Sequence, residues 1–558
     1  MMTETGERRP APNVIVIVAD DLGYGDLGCY GNGEVCTPHL DRLAAEGVRL
    51  TQHYSASPMC APARASLLTG KYPHRVGTTD VCSCRGLERI APDERLLPED
   101  FRAAGYRTGL VGKWHNGRDD RRYHPLSRGF DEFVGFCIGG MDYWDWTLED
   151  NGKVRPADGR YLTDVLTEEA LGFIGRHRAQ PFFLYLAYNA PHTPLQAPEA
   201  EIEPFRRTGR FTEAVSTIYA MIHRMDSGIG RILEALRDYD LEDDTLVLVV
   251  SDNGPDMKGE GERSARRFNG IFSGMKGNVL EGGIRVPGIV RWPSRLWGGQ
   301  TCAAPIHFND WLPTLLDCAG IGLNERRRGA LDGRSVLQLL TSASDTGAGS
   351  GGWARADGAS HGLNNDTTGH DAQTVGIGDA YRGADQSENA SASTSASASA
   401  PADLATRAGP SSDSAGEAED AADAVGAAAA LRQLWQWNRY EPVARCNAAL
   451  REGDWKLVYP AIAEAMRYEP SDTPVTQAMQ RNPTLTYELV REPVRRTYPA
   501  PAPPRLYNLA ADPGEREDVS AQHPERTARM ARELDAWFAE LAEQSRLRQR
   551  ETLGLGQR

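Results

Sequence analysis

Short apolar runs recur along the N-terminal part of the chain, and each one closes on polar residues. Asn13–Ala19, Arg107–Gly112, Phe182–Tyr188, Thr245–Val250 and Gly288–Arg291 are mostly β-branched, aliphatic or aromatic. Runs of this length without apolar–polar alternation predict strands covered on both faces. Between them the period becomes helical. Pro38–Gly47 carries Leu40, Leu43 and Ala44 at helical spacing and stops at a glycine. Thr212–Tyr239 sets Val215, Ile218, Ile222, Met225, Ile229, Ile232, Leu233 and Leu236 on one stripe. Strands alternating with helices predict an α/β fold, with a large mixed, mainly parallel central sheet flanked by helices.

The pattern breaks between 341 and 430, where Gly, Ser, Ala, Asp and Thr dominate and large apolar residues nearly vanish. Such a segment cannot bury enough surface to offset its ordering entropy, which predicts a disordered linker or insertion. An Ala-rich stretch, Glu417–Leu434, is a candidate helix at its end. Order is expected to return with Leu434–Trp437, a strand at Asp454–Tyr459 and a long charged helix over Pro524–Leu547. The resulting division is a domain over 12–340, the low-complexity segment over 341–430, and a smaller C-terminal α+β subdomain over 431–548. No internal repeat is present.

Composition narrows the function classes. A chain of 558 residues suits two or three units and needs no disulfide or metal staple to build a core. Its net charge of −15 argues against nucleic acid or an anionic membrane surface as partner. It leaves an anionic small molecule open, because a local cluster of cations overrides the global field. The stretch before Asn13 is polar, and no apolar run reaches membrane length, so neither a signal peptide nor a span is expected. Nine scattered cysteines read as reduced thiols, and the expected location is cytoplasmic.

The polar residues at the strand ends carry the chemistry. Asp20 and Asp21 come after the first run, Asp252 and Asn253 after the fourth, Lys113 and His115 after the second, and His192 after the third. In open parallel sheets, ligands bind beyond the carboxyl ends of strands. Carboxylates and a carboxamide oxygen are hard ligands suited to Ca²⁺ or Mg²⁺ rather than zinc. The histidines and Lys113, with Arg64 and Lys276, supply donors and acid–base groups for a tetrahedral oxyanion. Taken singly, Asp20-Asp21 reads as turn or cap chemistry, Ser251-Asp252-Asn253-Gly254 as a turn, His192 as a loop histidine, and Lys113 and Lys276 as surface lysines. Their joint placement points to a site for a sulfate or phosphate ester.

Cys60-Ala61-Pro62-Ala63-Arg64, continuing through Leu67-Leu68-Thr69-Gly70-Lys71, closely resembles the signature of formylglycine-dependent sulfatases, arylsulfatase-like members of the alkaline phosphatase superfamily. The likeness runs from about Asn13 to Leu340. It takes in Ala19-Asp20-Asp21-Leu22-Gly23-Tyr24-Gly25-Asp26, Gly112-Lys113-Trp114-His115, Ala190-Pro191-His192, Ser251-Asp252-Asn253-Gly254 and Glu281-Gly282-Gly283-Ile284-Arg285-Val286-Pro287. Gly453-Asp454-Trp455-Lys456-Leu457 and Leu506-Tyr507-Asn508-Leu509 resemble the family's C-terminal subdomain. Ala63 stands where serine is frequent, and Asn116 where leucine is common.

The resemblance implies an enzyme that hydrolyses sulfate esters, with residue roles to match. Asp20, Asp21, Asp252 and Asn253, with a modified Cys60, would bind one Ca²⁺, Mg²⁺ suiting less well. Arg64 would hold the formylglycine made from Cys60 by a transiently bound maturation enzyme. Lys113 and Lys276 would bind sulfate oxygens. His115 would contact a formylglycine hydroxyl, and His192 would sit near the leaving-group oxygen. One hydroxyl of the hydrated aldehyde would attack sulfur, and collapse of the resulting sulfo-enzyme would expel sulfate and restore the aldehyde. The substrate would be a small aryl or carbohydrate sulfate. Two other readings stand beside this one: a phosphate or phosphonate ester hydrolase on the same fold, and a non-catalytic binding protein. Cys82-Ser83-Cys84 lacks a partner pair for a metal, and Tyr143-Trp144-Asp145-Trp146 reads as core packing or a substrate wall. His39, His53, His74 and His223 read as surface or packing residues, and His307 receives no catalytic role.

Overall fold

The computed structural model describes residues 11–118, 120–342, 432–482, 488–492 and 494–552. Sixteen strands occur among them. In chain order they are β1 (Asn13–Ala19), β2 (Val48–Leu50), β3 (His53–Tyr54), β4 (Arg107–Lys113), β5 (Glu132–Phe136), β6 (Thr147–Asp150), β7 (Lys153–Pro156), β8 (Phe182–Ala187), β9 (Thr245–Ser251), β10 (Gly288–Arg291), β11 (Gln300–Cys302), β12 (Ile306–His307), β13 (Arg432–Gln436), β14 (Ala448–Glu452), β15 (Trp455–Tyr459) and β16 (Arg505–Asn508). Ten form one mixed sheet in the order β11-β2-β10-β9-β1-β8-β4-β5-β6-β7. Its centre, β9-β1-β8-β4-β5, is parallel throughout.

The five apolar runs became β1, β4, β8, β9 and β10. In β1, Ile15 and Ile17 enter one apolar cluster while Val14, Val16 and Val18 enter another on the opposite face. β8 divides the same way, with Leu184 and Leu186 on one side and Phe183 and Tyr185 on the other. Side chains alternate across a strand, so an unbroken apolar run can only be buried between two helical layers. The long stripe forms the helix Glu213–Asp238, whose N-cap Thr212 Oγ1 accepts from Val215 N at 3.2 Å. That helix and Leu162–His177 cover one face, while Cys60–Thr69 and Trp311–Cys318 cover the other. The strands that escaped the pattern, such as β7 and β2, are short and partly exposed, so they hold no apolar run.

The C-terminal part is a four-stranded antiparallel sheet, β13-β14-β15-β16, with the helix Pro524–Thr552 on one face through Met530 and Leu534. Its other face sets Trp435, Ala449, Val458 and Tyr507 against Tyr54, Val279 and Ile284. Leu434 lies in β13, which corrects the expected helical end at that residue; an extended strand partner in β14 takes its backbone hydrogen bonds. The low-complexity segment lies, from 343 to 431, outside the described residues. Among the described residues no helix is long and apolar enough to cross a membrane.

Candidate active site

β9, β1, β8 and β4 are neighbours and run in one direction. The residues after them therefore emerge at one edge: Asp20 and Asp21 from β1, Asp252 and Asn253 from β9, Lys113 and His115 from β4, and His192 from the segment after β8. Cys60 and Arg64 arrive on the helix Cys60–Thr69, whose ten residues are all buried. They are four positions apart and share a face. Cys60 begins the helix, and Gly70 ends it at φ 69°, a left-handed cap that glycine adopts at little cost. Lys276 comes from a loop.

The side chains form a closed net of charges. Arg64 Nε donates to Asp252 Oδ2 at 2.9 Å, and Nη2 makes ion-pair contacts at 2.7 Å with that oxygen and 3.8 Å with Asp20 Oδ1. Lys113 Nζ donates to Asp20 Oδ2 at 2.6 Å, and Lys276 Nζ to Asp21 Oδ2 at 2.7 Å. Asn253 Nδ2 donates to Asp21 Oδ1 at 2.7 Å, and His192 Nε2 lies 3.7 Å from Asp21 Oδ2. Asp21 and His115 take positive φ, 65° and 52°, the kind of backbone strain that persists where surrounding contacts over-determine it. Gly139 and Gly140 let the chain pass close to both histidines. A Cβ on Gly139 would stand 2.8 Å from His115 Cε1, and one on Gly140 3.2 Å from His192 Cε1.

Burial and neighbouring charge set the protonation states. Burial pushes the Asp252 carboxyl up to about 6, and Asp20 beside it adds to this against the pull of Arg64. For Asp21 the effect of burial is outweighed by the charges of Lys276 and His192 and by hydrogen bonds from Lys276 and Asn253, which hold it below the usual carboxylate range. Burial and the Lys276 charge press His192 down to about 3. Burial, Lys113 and Arg64 press His115 well below an ordinary imidazole. Burial raises the Cys60 thiol despite Lys113 and Lys276, so the unmodified side chain is a thiol and not a ready thiolate nucleophile.

A model of the sulfatase family matches residues 12–321. The chain belongs to the sulfatase family. Mouse steryl-sulfatase is 34% identical over 418 residues, covering 59% of this chain and 65% of its own length, so the chain spans about two thirds of that relative. Human N-acetylgalactosamine-6-sulfatase is 37% identical over 368 residues, covering 61% of this chain and 67% of its own. Among solved structures, Ps i-CgsB in complex with k-i-k-neocarrahexaose superposes with a TM-score of 0.67 at 26% identity, over 95% of this chain and 93% of that one.

At this edge of the sheet the residues present fit a hard cation. Asp20 Oδ1 and Asn253 Oδ1 are buried with no hydrogen-bond partner among the described residues. Ligand atoms of Asp20, Cys60 and Asp252 lie within 4.8 Å of one another, as do those of Asp20, Asp21 and His192. Burial and, after it, the neighbouring Asp20 carboxylate raise Asp252, and a divalent ion relieves both. The Cys82–Cys84 pair is different. Its sulfurs lie 3.4 Å apart, but Asp472, the carboxylate beside them, is occupied by Arg85 Nε and Nη2 at 2.5 and 2.9 Å.

Two residues that the sequence marked without a catalytic role support the site. Tyr143 OH donates to His192 O at 2.9 Å, and Asn116 Nδ2 donates to Ala61 O at 3.0 Å, tying the loop after His115 to the helix that begins at Cys60. Tyr143 and Trp146 are core residues, whereas Trp144 is 40% exposed. A cavity of ≈ 190 Å³ opens onto Cys60, His115, His192 and Lys276. Its outer wall includes Arg439, Tyr468, Thr476 and Met479 from the C-terminal part. No motif marks these four, and only the fold brings them to Cys60.

Proposed function

We propose that the protein hydrolyses sulfate esters, with Cys60, converted to formylglycine, as its nucleophilic position. The observation that carries this reading is the cysteine of the C-x-P-x-R motif lying buried within 4.8 Å of ligand oxygens of Asp20 and Asp252. A thiol that burial keeps protonated supports conversion, since it is a poor nucleophile as it stands. The hydrated aldehyde supplies a hydroxyl nucleophile and a second hydroxyl whose deprotonation restores the aldehyde. Asp20, Asp21, Asp252, Asn253 and residue 60 would hold one Ca²⁺, which supplies charge for the nucleophile and the sulfate oxygens.

The chain's own groups divide the remaining tasks. Lys113 and Lys276 orient the sulfate oxygens and balance their charge. Arg64 holds Asp252 in place and balances part of the negative charge of Asp252 and Asp20. His115, neutral at physiological pH, accepts a proton from a hydroxyl of residue 60 once the bound anion offsets the Lys113 and Arg64 charges that depress its basicity. An anion bound between the two lysines offsets their charge and raises His192, and either His192 or Lys276 then protonates the departing oxygen. The cavity beyond Cys60 suits an aryl group or a sugar ring, so a small aryl or carbohydrate sulfate is the proposed substrate class. A transiently bound formylglycine-generating enzyme is the proposed partner.

The test is the mass of the peptide containing residue 60 from protein matured in a competent host, followed by rates on nitrophenyl sulfate and nitrophenyl phosphate. Formylglycine at residue 60 with preferred release of sulfate is the expected result. Higher efficiency on the phosphate would reassign the enzyme to phosphate or phosphonate esters. No turnover of any ester would favour a binding protein.

A further inference from the structure

Lys276 is the one proposed anion-binding residue that is not held by a sheet strand or a helix. Its loop contains Gly274 at φ 86° and Gly277 at φ 90°, so the chain there has conformational freedom that outside contacts must remove. Two contacts come from the catalytic part. Pro255 O accepts from Lys276 N, and Pro58 O accepts from Gly277 N, both at 2.9 Å. The C-terminal part holds the loop's edges, where Ser273 Oγ donates to Gly514 O and Glu281 N to Glu515 Oε2, and one of its side chains reaches the backbone next to Lys276. Asn447 Nδ2 donates to Gly277 O at 2.8 Å, and Asn447 Oδ1 accepts from Val279 N at 3.2 Å. One carboxamide thus spans the backbone just beyond Lys276.

The orientation of that carboxamide follows from its surroundings. Nδ2 also donates to Trp437 O at 2.7 Å, so the reversed amide would set an oxygen against two carbonyls and an NH₂ against an N–H. Asn447 is 3% exposed and sits at φ 45°, a left-handed conformation that asparagine tolerates better than most residues. Its own N–H donates to Pro460 O at 3.2 Å, and its carbonyl accepts from Trp437 N at 3.1 Å, which fix it at the start of β14. The loop then continues into Val279, packed among Trp435, Ala449 and Val458 of the C-terminal sheet.

We propose that Asn447 is a positioning residue for Lys276, so that the C-terminal subdomain completes the anion site as well as packing behind it. The inference rests on the reading of Lys276 as a group that binds the ester's sulfate. Asn447→Gly is the informative variant, because glycine adopts the same backbone conformation without strain while the carboxamide is lost with the rest of the side chain. In matured, calcium-loaded protein its kcat/KM on nitrophenyl sulfate is expected to fall about 10–100-fold, the order expected when a reacting group is misplaced by about 1 Å. Combined with Lys276→Met it should add nothing, the double variant matching Lys276→Met alone within about twofold. Penalties that multiply would overturn the proposal, because Asn447 would then act by another route.

A second readout does not depend on catalysis. In a crystal structure of Asn447→Gly, Lys276 Nζ should have left hydrogen-bond reach of Asp21, and retention of the 2.7 Å contact would overturn the proposal whatever the activity. Wild-type protein that releases no sulfate from any ester would instead sink the functional reading and leave this crystallographic comparison to decide. Asn447→Asp, nearly isosteric, keeps the acceptor for Val279 N but turns an oxygen toward Gly277 O and Trp437 O. It should lose activity comparably and serves if the glycine variant does not fold; wild-type kcat/KM in Asn447→Asp would also overturn the proposal.

Discussion

Arg64 meets Asp252 with two nitrogens on one oxygen, Nε at 2.9 Å and Nη2 at 2.7 Å from Oδ2, and both side chains are wholly buried. The remaining oxygen, Asp252 Oδ1, accepts from Asp21 N at 3.2 Å. A single guanidinium therefore ties the ends of β1 and β9 together. Removing it leaves the buried Asp252 carboxylate without a cation beside it and Asp20 with Lys113 alone. Arg64→Met should lower the unfolding free energy by about 3–5 kcal/mol in metal-free protein, as expected when one partner of a buried pair is deleted. Arg64→Lys should restore little of this, because a lysine lacks the planar fork. Urea unfolding measures both, and a loss below about 1 kcal/mol for Arg64→Met would show that Lys113 alone suffices.

Calcium should stabilise the protein by linkage. At about a thousand times the dissociation constant, a ligand that binds only the folded state adds about 4 kcal/mol. Asp20→Asn and Asp252→Asn should each abolish most of that increment, and a chelator should reverse it in the wild type. Thermal unfolding with and without calcium reads the effect. A wild-type midpoint that calcium does not move would rule out the proposed ion.

His192→Ala should discriminate between leaving groups. Nitrophenolate departs readily and needs little protonation, whereas a sugar alkoxide needs a great deal. General acid catalysis contributes about 10²–10⁴-fold where it is required, so the loss should be near that range for sugar sulfates and much smaller for nitrophenyl sulfate. Equal losses on both would assign His192 to orientation alone.

Two buried histidines away from the site predict acid lability. His53 accepts from Trp311 Nε1 at 2.9 Å through Nε2 and faces Pro287 O through Nδ1 at 3.1 Å, so a second ring proton has no acceptor. Burial presses its pKa down to about 4, and it does the same for His74. With an unfolded value near 6.5, the unfolded chain binds more protons between about pH 6.5 and 4. Stability from these groups is therefore complete above about pH 6.5 and is lost as pH falls toward 4, by up to about 1.4 kcal/mol per unit and per histidine. Unfolding midpoints across that window, for wild type and His74→Gln, check the slope. An identical slope in the two proteins would exclude His74.

The elements that the sequence revealed share one property. β1, β4, β8, β9 and β10 are apolar without interruption because both faces are covered, and the helix Glu213–Asp238 shows its stripe because one face is. The strands that stayed hidden are short, edge-lying or mixed, such as β7 with most of its residues exposed and β16 with Arg505 and Asn508 at its ends. Their hydrogen bonds come from partners and not from a pattern of their own. The Cys82-Ser83-Cys84 and Tyr143–Trp146 segments show the converse, conspicuous residues whose surroundings turn out to be packing and an Arg85–Asp472 pair.

The sequence alone was enough for the local facts: which runs are buried strands, which residues come after them, and which motif surrounds Cys60. Those depend on spacing along the chain, and spacing is what hydrophobic periodicity and a short signature record. Proximity was decided by the tertiary structure, because it depends on strand order. The β9-β1-β8-β4 arrangement carries Asp252 to Asp21 across 231 positions. Docking of the C-terminal sheet carries Asn447 to Gly277 across 170. Backbone pairing and burial between distant segments leave no periodic trace in either segment, so these contacts are legible only once the chain is folded.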